Sequence, residues 1–269
     1  MTLAIIFLLT GINRIGGENM IFDCDTHMSP YRNHDRAIDA KGLNNLLETA
    51  GVDKALVWLM PQGVSDVSES NEYIYESAKI YPRFLPFGWA NVMEGVDKAI
   101  DDVKRCIIDF GFKGVKLNGA QNEYKIDSPE AMKVCEAIAA NKGIIAFHIG
   151  ADSPDNTGAF RAANVAKAFP ETTILMSHMG GAGEPDRAEE VIEHAKRCPN
   201  MMLIGSAINV SRVKLAILEL GADRVMFGSD GPFRDVAGAI GGYLQTLSDI
   251  EQTEMDAVMY KNALRIFGL

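Results

Sequence analysis

Asp25 and His27 stand two residues apart in the run IFDCDTH (21–27), with Asp23 two residues before them. In an extended chain, side chains at i, i+2 and i+4 share a face, so two carboxylates and an imidazole converge while Phe22, Cys24 and Thr26 face the other way. Such a group either repels itself or gathers a cation, because uncompensated charge on an inward face is costly and carboxylate with imidazole is a metal donor set. The same residue types end three further apolar runs: His148 in IIAFHIG, His178 in TILMSH and Asp230 in RVMFGSD. Each has an ordinary reading by itself. A histidine at a strand end is often a core residue satisfied by hydrogen bonds, and Ser-Asp-Gly-Pro often forms an Asx turn. Separate strand ends carrying only Asp and His point together to a shared site. His34, after the first run, and His194, in the helical stretch EEVIEHAKR, read as surface residues.

Something must bring these ends to one place. From Met20 onward, β-rich runs alternate with amphipathic segments: 20–25, 54–60, 84–92, 112–118, 144–150, 173–178, 201–207 and 224–230 read as strands. Between them lie helical patterns such as GLNNLLETAG, VDKAIDDVKRCIIDFG, AMKVCEAIAANKG and VKLAILELG, each closed by a glycine where a helix C-cap belongs. Eight strand-plus-helix units predict an α/β fold, a single-domain (β/α)8 TIM barrel over 20–269, whose active site lies at the C-terminal strand ends. A doubly wound sheet would bring a glycine-rich phosphate turn after the first strand, and the chain has DTHMSPYR there. Residues 1–19 read as a non-native or unstructured N-terminal extension: IGGENM (15–20) is what a ribosome-binding site and start codon give when translated in frame.

Composition narrows the function. A formal charge of -10 over 269 residues, without a Lys/Arg cluster, argues against nucleic acid and anionic membrane surfaces as partners. The opening apolar run is too short to span a bilayer. Four cysteines, widely spaced, fit a reducing cytoplasm better than a disulfide framework or a zinc knuckle. Short loops and no inserted lid predict a small-molecule substrate, and a homo-oligomer is compatible with the sequence.

The ordered set IFDCDTH, GFKGVKLN, FHIG, SHMGG, RVMFGSDGPF and the terminal KNALRIFGL resembles the amidohydrolase superfamily, and within it the amidohydrolase-related group of metal-dependent hydrolases. The resemblance runs from Met20 to the end. It departs from the usual pattern at one place: the family has His-x-His on its first strand, and here Asp25 takes the first position, as a carboxylate does in decarboxylases of the γ-resorcylate type. The resemblance implies that Asp25, His27, His148 and Asp230 hold one divalent cation, Zn2+ first and Mn2+ as a competitor because the added carboxylate hardens the site. It implies catalytic roles for Asp230, which exchanges a proton with the metal-activated water, and for His178, which stabilises charge on the substrate oxygen. Lys116 has three readings: a contact for an anionic substrate, an ion pair inside the barrel, or a carbamate bridging two metals. Trp89, Asn118 and Arg234 are the other candidate substrate contacts.

Three functions are therefore expected in order. The first is a metal-dependent hydrolase of a small cyclic amide, lactone or ester. The second is a metal-dependent, non-oxidative decarboxylase of a small carboxylic acid. The third, of a different class, is a non-catalytic or phosphate-binding barrel without metal, which leaves Asp25, His27 and His148 unexplained.

Overall fold

The computed structural model describes residues 20–31, 35–60 and 67–269; the expected extension 1–19 and His34 lie outside the described residues. Strands β1 (Phe22–Met28), β2 (Lys54–Leu59), β3 (Phe84–Pro86), β4 (Gly88–Trp89), β5 (Gly114–Leu117), β6 (Ile144–Gly150), β7 (Ile174–Ala182), β8 (Met201–Ile204) and β9 (Val225–Met226) follow one another in chain order, every pair parallel. Their residues are almost all buried, as strands of an all-parallel sheet covered on both faces must be.

The sheet closes on itself. β3 and β4 are two halves of one barrel strand, interrupted at Phe87, where 84–92 was expected to be continuous. Pro86 has no N–H to give to a ladder, and the strand changes partners there: Phe87 N–H donates to Val57 O at 2.9 Å, and Ala90 N–H to Lys116 O at 3.2 Å. The other seam joins β1 to the segment after β9, through Cys24 N–H to Phe227 O (2.9 Å), Asp230 N–H to Asp25 O (2.9 Å) and His27 N–H to Gly231 O (2.8 Å). Counting β3 and β4 as one, the result is the expected single-domain (β/α)8 barrel.

The longer helices around it are α1 (Ala40–Thr49), α2 (Val67–Ile80), α3 (Val96–Lys104), α4 (Pro129–Ala140), α5 (Ala159–Ala168), α6 (Ala188–Arg197), α7 (Val210–Leu220), α8 (Val236–Thr246) and α9 (Asn262–Phe267). α1 starts where the Asp39 carboxylate accepts the Gly42 N–H at 2.8 Å, and it buries Leu43 and Leu47. α4 starts with Pro129 after an Ser128 cap and buries Val134, Cys135 and Ile138. His194 is half-buried on α6. Among the described residues no helix is long and apolar enough to cross a membrane.

Three strand ends differ from expectation in ways that shape the site. β1 continues to Met28, so His27 is held by pairing with Trp58, while Asp25 falls in the register shift between Asp23 and Thr26 and is held by its carbonyl, which accepts the Asp230 N–H. β8 and β9 stop early, at Ile204 and Met226, so Ser206 and Asp230 are presented by the turns that follow.

Candidate metal centre

The pairing of β1 with β2 shifts between Asp23, opposite Ala55, and Thr26, opposite Val57. Three residues advance on one strand against two on the other, and a bulge of this kind re-aims side chains. The three expected to converge become two. Asp23 instead accepts the backbone N–H groups of Asp25 (3.1 Å) and Ser229 (2.9 Å), tying β1 to the closing turn. Burial pushes its carboxyl up to about 7, against the pull of those hydrogen bonds.

Asp25 is the centre of the cluster. One atom each from Asp25, His178 and Asp230 lies within 4.8 Å of the others. His27 joins them: its Nε2 is 3.4 Å from Asp25 Oδ1 and 3.6 Å from Asp230 Oδ1. Its Nδ1 donates to Leu59 O at 2.8 Å, so Nε2 carries the lone pair. Two of the four sit on strained backbone, His178 at φ 68° and Asp230 at φ 63°, in a region that few non-glycine residues occupy. Burial opposes charge on Asp25, but the Lys116 ammonium, His178 and the contact with His27 overcome it and hold the carboxyl well below the usual carboxylate range. For Asp230 nothing overcomes burial: with the neighbouring Asp25 charge added, its carboxyl is pushed well up. Burial also lowers His27 and His178, which favours the neutral, ligating form of each imidazole.

Lys116, on β5, is almost completely buried, with Nζ 3.7 Å from Asp25 Oδ1 and 3.5 Å above the Trp58 ring. Burial lowers it to about 8, more than Asp25 and Asp230 raise it. Trp89 is enclosed beneath the site, its ring 5.7 Å from Lys116 Nζ and its backbone clamped by the Asn71 amide. His148 is placed differently from the cluster: half-buried, it bonds Asp152 Oδ2 through Nε2 at 2.8 Å, and its ring meets the His178 ring edge-on at 4.7 Å. Asn118 is buried with its Oδ1 on the Gln121 N–H, and it shares with His148, Asp152, Glu123 and Asn156 a polar cavity of about 380 Å³. Arg234 is exposed at the rim, its N–H on Asp230 O at 3.2 Å.

The donor set fits a divalent cation. Asp25 Oδ1 is buried and has no hydrogen-bond partner, a costly state for a carboxylate oxygen unless it ligates. The set of hard oxygens and neutral imidazole nitrogens suits Mn2+ or Zn2+. One feature competes: Trp58 Nε1–H donates to His27 Nε2 at 3.0 Å, the lone pair a cation needs. Cation binding at Nε2 must break this bond, so Trp58 emission is expected to change in step with metal occupancy. With only two tryptophans in the chain, a Trp89→Phe background isolates the signal. Emission unchanged at full occupancy places the cation away from His27.

Sequence reasoning passed over Trp58, Ser206 and Asp152. Trp58 shares the inward face of its strand with Leu56 and Met60, and Ser206 that of Met202 and Ile204, so alternation alone gave the signal for both. Asp152 lies past the end of β6, where periodicity says nothing.

The match to known proteins agrees with this architecture. A 2-amino-3-carboxymuconate-6-semialdehyde decarboxylase of Dictyostelium discoideum is 20% identical over 250 residues, covering 79% of this chain and 69% of that protein. A gamma-resorcylate decarboxylase of Rhizobium radiobacter is 23% identical, covering 87% and 86%. Among solved structures, the 2,6-dihydroxybenzoate decarboxylase from Rhizobium superposes with a TM-score of 0.73 at 18% identity, over 93% of this chain and 99% of that one. A 5-carboxyvanillate decarboxylase from Novosphingobium aromaticivorans, complexed with manganese and 4-hydroxy-3-methoxy-5-nitrobenzoic acid, does so with 0.75 at 15%, over 94% and 98%. At such identities these structures share the fold. The family itself is given by the Amidohydrolase model, which matches residues 23–269: the chain belongs to the amidohydrolase family.

Proposed function

We propose that the chain is a metal-dependent, non-oxidative decarboxylase of a small carboxylic acid that carries an oxygen beside its carboxylate, of the hydroxybenzoate kind. The observation that carries this reading is Asp25, a buried carboxylate with one unbonded oxygen at the position where the family usually has an imidazole. An added anionic ligand weakens the acidification of bound water on which hydrolysis depends. It matters less where the cation serves to hold the substrate. The relatives named above favour decarboxylation over the hydrolysis that the sequence put first.

In this reading Asp25, His27, His148 and Asp230 would hold the cation, with His148 released from its bond to Asp152. The manganese-bound neighbour and the oxygen-rich donor set favour Mn2+ over Zn2+. When bound, the cation would supply positive charge to hold the substrate carboxylate and the oxygen beside it. Asp230 is the acid of this reading: in the metal-free protein burial and the charge of Asp25 raise its carboxyl. As the bond to CO2 breaks, its electron pair stays on the carbon and takes the Asp230 proton, which balances the reaction as acid anion plus proton giving arene plus CO2. His178, neutral and buried, faces the substrate oxygen. Lys116 balances the Asp25 charge from within the barrel. Asn118 offers its amide to the substrate from the polar cavity, Arg234 attracts the incoming anion, and the Trp89 ring adds to the aromatic surroundings of Lys116 at 5.7 Å.

The test is an assay of Mn2+-loaded and chelator-stripped protein against 2,6-dihydroxybenzoate and related hydroxybenzoates, beside cyclic amides, lactones and esters. Metal-dependent CO2 release from an acid is expected. Hydrolysis within the second group without CO2 release from the first overturns the reading.

A further inference from the structure

Ser206 lies on the turn after β8, buried, with its Oγ between two members of the cluster. It donates to Asp25 Oδ2 in a short hydrogen bond. It is also 2.9 Å from His178 Nδ1 and accepts the His178 backbone N–H at 3.3 Å. A hydroxyl has one proton to give. Asp25, facing the Lys116 ammonium at 3.7 Å, is an acceptor only, so the Ser206 proton goes to it. The contact with His178 must then run the other way, with Nδ1–H as donor. The 3.3 Å approach of His178 Nδ1 to Asp25 Oδ2 agrees, since two acceptors meet the same N–H.

The serine is held there by its surroundings. Tyr243 Oη donates to Gly205 O at 2.6 Å, and a Cβ on Gly205 would lie 2.2 Å from that Oη. A Cβ on Gly228 would lie 3.0 Å from Asp25 Cβ and 3.2 Å from Ser206 Cβ. The two glycines let the strand ends approach closely enough for serine and aspartate to meet.

We propose that Ser206 is a positioning residue that fixes His178 as the Nδ1–H tautomer, so that Nε2 is the only nitrogen through which His178 can act on a cation or a substrate. The nitrogen nearest Asp25 is thereby withdrawn from metal binding, and His178 is kept for the substrate although its ring lies in the donor cluster. A ligand histidine is commonly oriented by a bond to its other ring nitrogen; here one hydroxyl orients both an imidazole and the carboxylate beside it. The tautomer does not depend on the reaction class, whereas the effect on turnover rests on the decarboxylase reading.

The experiment is a long-range 1H–15N correlation spectrum of the metal-free protein labelled with 15N-histidine, His178 being assigned by loss of its signals in His178→Asn. The parent is expected to show His178 with Nδ1 protonated and Nε2 bare. Ser206→Ala is expected to shift it towards the Nε2–H form, and Ser206→Thr, which keeps the hydroxyl, to restore the parent pattern. At saturating metal, Ser206→Ala is expected to lower kcat by roughly 10 to 100-fold with KM little changed, and Ser206→Thr to recover most of the loss. An Nε2–H form in the parent, or an Nδ1–H form that survives in Ser206→Ala, overturns the proposal. The expected spectra with an unchanged kcat overturn its catalytic half. If the parent decarboxylates nothing, the decarboxylase reading falls and the spectra still decide the role of Ser206.

Discussion

Asp230→Asn is expected to lower turnover by roughly 10² to 10⁴-fold, the range in which general acids and bases contribute. Asparagine preserves the shape of the side chain but has no acidic proton to place on the carbon that loses CO2. In the metal-free protein burial, and then the Asp25 charge, raise the Asp230 carboxyl, so the protonated form survives to higher pH and is lost as pH rises through the raised value. An acid–base titration of the metal-free parent is therefore expected to show this proton release, and a folded Asp230→Asn chain, checked by circular dichroism, to lack it. Steady-state rates at saturating metal measure the loss of turnover. Parent-like turnover in the variant removes Asp230 from the chemistry.

Lys116→Met is expected to destabilise the fold by about 3–5 kcal/mol at pH 7, because removing one partner of a buried ion pair strands the other. Asp25 and Lys116 are both almost fully buried and 3.7 Å apart. Burial outweighs their attraction at Lys116, which it lowers to about 8, but not at Asp25, which stays ionised. At pH 7 the lysine is still charged, and methionine keeps its length while leaving the aspartate without that charge. The double variant Asp25→Asn, Lys116→Met removes both charges and is expected to recover most of the loss. Urea unfolding midpoints, compared at constant m, measure this. A Lys116→Met chain as stable as the parent shows that Lys116 does not sustain Asp25.

The barrel was legible because its strands repeat at regular spacing and most are unbroken apolar runs; IIAFHIG coincides with β6. The interruption at Phe87 was not, since it depends on which neighbour each half-strand finds once the ring closes. In the site, alternation placed Asp25 and His27 on one face correctly but could not show the bulge that removes Asp23 from it. Alternation also pointed at Trp58 and Ser206, yet an indole and a hydroxyl on an inward face do not announce themselves as carboxylates do. Two placements were beyond any pattern: the left-handed turn that swings His178 into the cluster, and the bond to Asp152 that draws His148 to its edge. Both arise in segments beyond regular pairing, where contacts distant in sequence set the side-chain direction.

Elemental analysis of the parent, Asp25→Ala and Asp25→His after equilibration with Mn2+ and Zn2+ tests the account at its centre, the role of Asp25 as a ligand. The parent is expected to carry about one divalent cation per chain, as a single four-donor site allows. Asp25→Ala is expected to lose it, and Asp25→His to keep a cation while shifting preference from Mn2+ towards Zn2+, since imidazole replaces a hard, charged oxygen. An Asp25→Ala protein that still fills its site, with affinity reduced only roughly 10 to 100-fold, would show that Asp25 merely accepts the Ser206 hydroxyl and orients its neighbours, and would contradict the assignment.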